Sequence, residues 1–220
     1  MKRVKHKKVN LNRKNRGVYT GKYQNEPVRM QLFIYNDLKF QEFLDISIDK
    51  ARQEIEKAAS KDVVVWLNIH GLSDAELIRQ IADIVVVDDY VVQDILNINN
   101  RPRIEDLDDN LFFNIKSILE ETSDGIHVEQ ISFLLKENLL VSFQEKKSDF
   151  FTEIRERIRN KTGMVRRKKN DYLLYLLLDA VMENFFITLE NYENALDETL
   201  TLAKDRSNIE VLKEIEKSRD

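Results

Sequence analysis

Hydrophobic positions along the chain change period several times, and each change marks a new element. Between Val28 and Tyr35 the residues Val28, Met30, Leu32 and Ile34 alternate with their neighbours, the pattern of a strand with one buried face. Asn36-Asp37 is a turn signal, and Lys39 to Leu44 reads as a further strand; Val18 to Tyr23 also has strand character. From Ser47 the spacing becomes three and four, through Ile48, Ala51, Ile55 and Ala58, which predicts a helix. Val63 to Ile69 is a continuous β-branched run, expected of a strand buried on both faces and ended by Gly71. Ser73-Asp74-Ala75-Glu76 then reads as a capping box opening a helix on Leu77, Ile81 and Ile84. A strand followed by a helix on its face is an α/β unit.

A second short helix is expected from Asp88 to Asn97, stopped by Asn99-Asn100-Arg101-Pro102. Leu111 to Ile118, Ile126 to Leu135 and Leu139 to Gln144 are separated by turn signals at Thr122 to Gly125 and Lys136 to Asn138, which predicts an antiparallel meander. After Phe143 the pattern is helical, first over Asp149 to Asn160 and then from Asn170. Leu174, Leu178, Val181, Phe185, Leu189, Tyr192, Leu196 and Ala203 keep a period near 3.6, predicting a long helix from about 170 to 203. Asp205 to Asn208 loses that period, and Ser207 with Glu210 marks a further helix running to the end of the chain and continuing in a longer polypeptide. Three segments follow: residues 1–16 as a disordered basic arm, 17–165 as an α/β domain, and 166–220 as long helices.

Composition narrows the class. The 220 residues are 34% charged, with 5 Gly and 2 Pro, which favours long helices over an all-β fold. There is no cysteine, so disulfides, thiolate metal sites and cysteine nucleophiles are excluded. The net charge of -4 is unevenly spread: residues 1–16 hold 8 of the 35 basic residues and no acid, so 27 basic residues face 39 acidic ones in the remainder. An acidic body attracts cations, and a basic arm suits phosphates or anionic lipid. Residues 1–16 lack the apolar stretch of a signal peptide, and the longest apolar run, Tyr172 to Leu178, is far shorter than the ~20 residues of a membrane span.

No phosphate-binding loop, dinucleotide turn or nucleophile elbow is present, and His6, His70 and His127 have no metal-site spacing, so the chain reads as a non-enzyme. His70 beside Gly71 is expected in a surface turn. Between Asp83 and Asp109 eight acids face only Arg101 and Arg103. The stretch is either a solvated acidic face or a hard-cation site, since Mg2+ takes oxygen ligands and commonly one or two carboxylates. Asp94 follows Tyr90 by four and Val91 by three, which sets it beside an apolar stripe, near an interface. The run Arg166-Arg167-Lys168-Lys169 has no interleaved aromatic residues, so protein carboxylates or anionic headgroups suit it better than nucleic acid.

Trp66-Leu67-Asn68-Ile69-His70-Gly71-Leu72, Val92-Gln93-Asp94-Ile95-Leu96-Asn97 with Arg101-Pro102, and Phe143-Gln144-Glu145 resemble the cytoplasmic domain of the CorA magnesium and cobalt transporters. Arg155 to Arg159, Gly163, and Asp171 to Tyr175 with Asp179-Ala180 extend the resemblance over roughly residues 28–200. It implies an α/β/α sandwich with a mixed, mostly antiparallel sheet, followed by long helices leading to a stalk and two transmembrane helices of a homopentameric channel on the cell membrane. The family's Gly-Met-Asn pore sequence is absent here, so the chain resembles a regulatory part cut before the stalk.

The same resemblance implies that Asp94 faces a stalk carboxylate of the neighbouring subunit across a divalent-cation site for Mg2+ or Co2+, with no organic cofactor. A second family site uses the acid before this position and an aspartate on the long helix. Gln93 replaces that acid, while Asp179 matches the helix aspartate. Asp88-Asp89-Tyr90 also stands where the family has a His-Pro pair, so metal preference is open. Metal between subunits would favour the closed state. The alternatives are a zinc-transporting relative of the same family and, from another class, a nucleic-acid module using the basic arm.

Overall fold

A computed structural model describes residues 17–59, 61–121, 125–146 and 150–205. The expectations for the basic arm, for Thr122 to Asp124, for a helix start at Asp149 and for a further helix after Asp205 lie outside these residues.

Seven strands form one sheet: β1 (Arg29–Tyr35), β2 (Phe40–Phe43), β3 (Val64–His70), β4 (Arg103–Leu107), β5 (Asn110–Glu121), β6 (Gly125–Lys136) and β7 (Leu139–Gln144). Their order is β2-β1-β3-β7-β6-β5-β4. Every neighbouring pair is antiparallel except β3 with β7, where Val65 lies opposite Leu139 and His70 opposite Gln144. The predicted meander is β5-β6-β7. The parallel contact puts β3 in the middle, with all seven residues buried, as its unbroken apolar run requires.

Helices α1 (Ile48–Ala58), α2 (Ala75–Val85) and α3 (Asp89–Leu96) cover one face, packing Ala51, Ile55, Ile78, Ile81, Val91 and Ile95 onto Leu32, Val65, Leu67 and Val141. Helix α4 (Thr152–Arg159), a 3-10 turn (Val165–Arg167) and α5 (Asn170–Asp205) cover the other. There Trp66 stacks on Phe33 with ring centroids 5.0 Å apart and meets Phe151 edge-on at 6.1 Å. The result is the expected α/β/α sandwich.

Several local expectations are corrected. Val18 to Tyr23 forms no strand; Thr20 N–H donates to Leu96 O, and Tyr19 is buried against the α1–α3 side. Ser73 is not the cap of α2: its hydroxyl donates to Glu26 O, while Asp74 accepts from the Glu76 and Leu77 amides. The buried stripe of α2 accordingly turns toward Ile78, Ile81, Ala82 and Val85, with Leu77 and Ile84 at its margin. His70 is buried at the end of β3, its Nε2 3.1 Å from Asn68 Nδ2. The turn begins one residue later at Gly71, whose φ of +90° and close approach to Pro27 O leave no room for a Cβ. β4 was not foreseen, because its acids hide the strand period.

The long helix begins at Asn170 as predicted and continues for 36 residues to Asp205, the last described residue, a length of about 54 Å. By length and composition its Asn170–Thr201 stretch is long and apolar enough to cross a membrane, although the uninterrupted apolar run is short. Its first half is committed to the sheet, with Leu173, Leu177 and Val181 buried. Farther along, Leu189, Tyr192 and Leu196 are exposed, so the apolar period outlasts the surface it covers here.

Candidate functional site

Asp94 lies in the last turn of α3, where Val91, Val92, Ile95 and Leu96 are held in the core. That packing presses the neighbouring carboxyl toward the sheet, leaving 16% of the side chain exposed. The C-terminal end of α3 is pinned from below. Gln130 Nε2 on β6 donates to the carbonyls of Asp94 (2.9 Å) and Ile95 (3.1 Å), and Lys116 Nζ on β5 donates to Gln130 Oε1 (3.0 Å) and to Ile98 O. These contacts satisfy carbonyls that the helix end would leave bare.

Around the carboxyl the loop after α3 and edge strand β4 complete the site. Asn100 Nδ2 donates to Asp94 Oδ1 (2.6 Å), and the Arg103 guanidinium pairs with Asp94 Oδ2 and, at 2.9 Å, with Glu105. Arg103 and Glu105 share a strand face because they are two residues apart. Arg103 also lies over the Phe112 ring, 5.6 Å from its centroid, and Tyr90 donates its hydroxyl to Glu105 (3.2 Å). Burial raises the Asp94 pKa above its ordinary value; Arg103 opposes that shift and Glu105 reinforces it. One cation is thus shared by two carboxylates at the rim of the domain.

The remaining acids of the stretch divide by position, Asp83 being exposed on α2. Asp88 and Asp89 start α3, where the macrodipole favours them. Asp106, Asp108 and Asp109 lie on the β4–β5 hairpin, and charge on an exposed edge discourages pairing with foreign strands.

Asp179 lies on the opposite face of the sheet, exposed on α5 beside a cleft shared with Glu153, Arg157 and Glu183. One chain therefore does not bring Asp94 and Asp179 together, and Gln93 is half-buried beside Asp94 on the α3 side. Among the described residues no group of three or more His, Asp or Glu side chains is placed to hold a metal ion. The oxygen donors of Asp94 and Glu105 suit a hard divalent cation in kind, and their number makes half a site.

Sequence reasoning missed Arg103 and Glu105 as partners of Asp94; the signal was their i, i+2 spacing after Pro102. It also missed a buried acid network beneath the site. Tyr19 donates its hydroxyl to Glu145 Oε2 (2.6 Å), Gln130 N–H donates to Glu145 Oε1 (2.7 Å), and Glu145 N–H donates to Glu129 Oε1 (3.1 Å). Burial drives the Glu129 pKa up to about 8.

The solved soluble domain of CorA from Methanocaldococcus jannaschii has the same fold, with a TM-score of 0.61 at 18% identity over 84% of this chain and 68% of that one. The ZntB cytoplasmic domain from Vibrio parahaemolyticus gives a TM-score of 0.58 at 18% identity over 77% of this chain and 65% of that one. At such identities the likeness is one of fold. In sequence, the cobalt/magnesium transport protein CorA of Thermotoga maritima is 31% identical over 181 residues, 82% of this chain, which spans 50% of that relative's length. A family model described as CorA-like Mg2+ transporter protein matches residues 61–219, and with that match over most of its length the chain belongs to the CorA family.

Proposed function

We propose that this chain is the cytoplasmic, divalent-cation-sensing part of a longer Mg2+ or Co2+ transport channel, not an enzyme, and that Asp94 is half of a site completed by a second copy. The observation that carries this reading is the Arg103 guanidinium held between Asp94 and Glu105: the corner is built to hold positive charge, yet its donors are too few to hold a metal alone. Residues 17–165 would be the sensing body and 166–220 the start of the path toward a stalk and membrane region.

The physics is an attraction switched by metal. Two carboxylates ~4 Å apart across a subunit boundary repel by roughly 4 kcal/mol at an effective dielectric of 20, and a bridging Mg2+ reverses the sign. Bound metal would hold the copies of a homopentamer in a closed arrangement, and its loss would let them separate. Asp179, on the far face, would reach a second ion only by meeting a neighbour's α3 side. The neutral Gln93 would make that site weaker than the Asp94 site.

The test is protease protection of the full-length transporter as Mg2+ is raised. Asp94→Ala is expected to move the midpoint upward by about tenfold or more, the worth of one charged ligand, and to cost about 1 kcal/mol of domain stability because Asn100 and Arg103 lose a partner. Equal midpoints would remove Asp94 from the sensing site.

A further inference from the structure

We propose that the cavity at the N-terminal end of α5 binds a phosphorylated small molecule of nucleotide size, with its phosphates on the Arg166–Lys169 run. The cavity measures about 640 Å3 and forms where the β1–β2 turn, the start of β3, the β6–β7 turn and the approach to α5 converge. That is within the ~300–1,000 Å3 typical of small-molecule sites.

Three independent features point to an anionic ligand. The wall carries five cations, Lys61 and the four consecutive residues Arg166 to Lys169. Arg166 is already oriented: its Nε donates to Asn36 O (2.9 Å) and its guanidinium lies 5.6 Å from the Phe40 ring centroid. Its terminal nitrogens have no partner among the described residues, so a planar donor pair is left for an oxyanion. The second feature is α5 itself, a 36-residue helix whose first residue, Asn170, lines the cavity and whose amide end favours negative charge.

The third is Tyr35, which is fully buried, lines the cavity, and has a hydroxyl without a hydrogen-bond partner among the described residues. Burial keeps the phenol protonated, so it is an unused donor. A buried hydroxyl left unpaired costs about 1–3 kcal/mol, and a ligand acceptor would remove that cost.

The acids in the wall sharpen the ligand's identity. Asp37 is neutralised by Lys161 at 3.0 Å, which leaves Asp62 and Glu137 as acceptors. A bare anion has no use for them, whereas the hydroxyl and amino groups of a nucleotide do. A flat anionic membrane would engage exposed Lys168 and Lys169 but not a fully buried tyrosine.

The test is calorimetric titration of the 220-residue chain with ATP in EDTA, so that no divalent cation contributes and the Asp94 proposal is untouched. Inorganic phosphate and phosphatidylglycerol-containing vesicles are the parallel arms. Saturable one-to-one binding of ATP is expected, weakened about tenfold by Lys168→Gln with Lys169→Gln and about threefold by Tyr35→Phe, the latter without loss of melting temperature. Four results would each overturn the proposal: no binding of ATP at about 5 mM, affinity unchanged in both variants, phosphate binding as tightly as ATP, or vesicles binding while ATP does not.

Discussion

Asp94 and Asp179 are both helical aspartates, on helices that cover opposite faces of the same sheet, yet their surroundings have little in common. Asp94 is mostly buried on the α3 side, accepts from Asn100 and shares Arg103 with Glu105. Asp179 is exposed on the α5 side, with Glu183 one helical turn on. The first carboxyl is held in place at a cost in desolvation, and the second is a solvated charge. A matching residue type therefore says little until its burial and partners are known, because those decide whether a carboxylate is pre-positioned for a cation or merely near one.

Glu129 extends the comparison to full burial and has the largest expected effect. Its side chain is almost entirely buried, and its pKa is raised from 4.5 to about 8, first by burial and then by the Glu145 charge, with the Lys146 amide opposing. Between those values the folded protein holds a proton that the unfolded chain releases, so its contribution is fully present below about pH 4.5. Stability should then fall as pH rises, levelling off above about 8, by an amount on the order of a few kcal/mol. Urea melts across this range are expected to show the slope in wild type and a much flatter one in Glu129→Gln. Superimposed slopes would place the proton elsewhere.

Most of the architecture was legible because burial repeats with the backbone. Val63 to Ile69 announced a doubly buried central strand, and the long period after Asn170 announced α5. β4 was hidden because its burial alternates only weakly and its charges belong to an exposed edge. Asp94 was legible as a residue but its setting was not. Arg103 and Glu105 reach it only because the chain reverses at Asn99 to Pro102 and returns as an edge strand, and no local period encodes that return. The ring of cations at α5 was visible as a run, whereas Tyr35, 131 residues before Arg166, became part of the same cavity only through the fold.

Arg103→Gln tests whether the Asp94 corner is a cation site in its own right. Losing the guanidinium leaves Asp94 and Glu105 uncompensated at a partly exposed position, and without Mg2+ stability should drop by about 1 kcal/mol. About 10 mM Mg2+ should restore part of that loss in the variant and change wild type less, because the guanidinium no longer competes. In urea melts the recovery should vanish when Asp94→Asn is added. Recovery that survives that second substitution would assign the effect to other acids.

The smallest effect is expected at Asp179, and its smallness is what the comparison requires. Its carboxylate has no hydrogen bond or ion pair among the described residues, so Asp179→Asn removes no contact. Exposed substitutions of that kind usually stay within about 0.5 kcal/mol. The sign should be neutral to slightly stabilising, since Asp179 and Glu183 are like charges at i, i+4 on one helix and repel. In the longer channel proposed for this chain the Mg2+ midpoint should move less than for Asp94→Ala, because Gln93 would offer only a neutral carbonyl to a shared ion. A midpoint shift equal to that of Asp94→Ala would reverse the ranking. It would mean that a neighbouring copy supplies on the α5 face the burial and partners that a single chain provides only around Asp94.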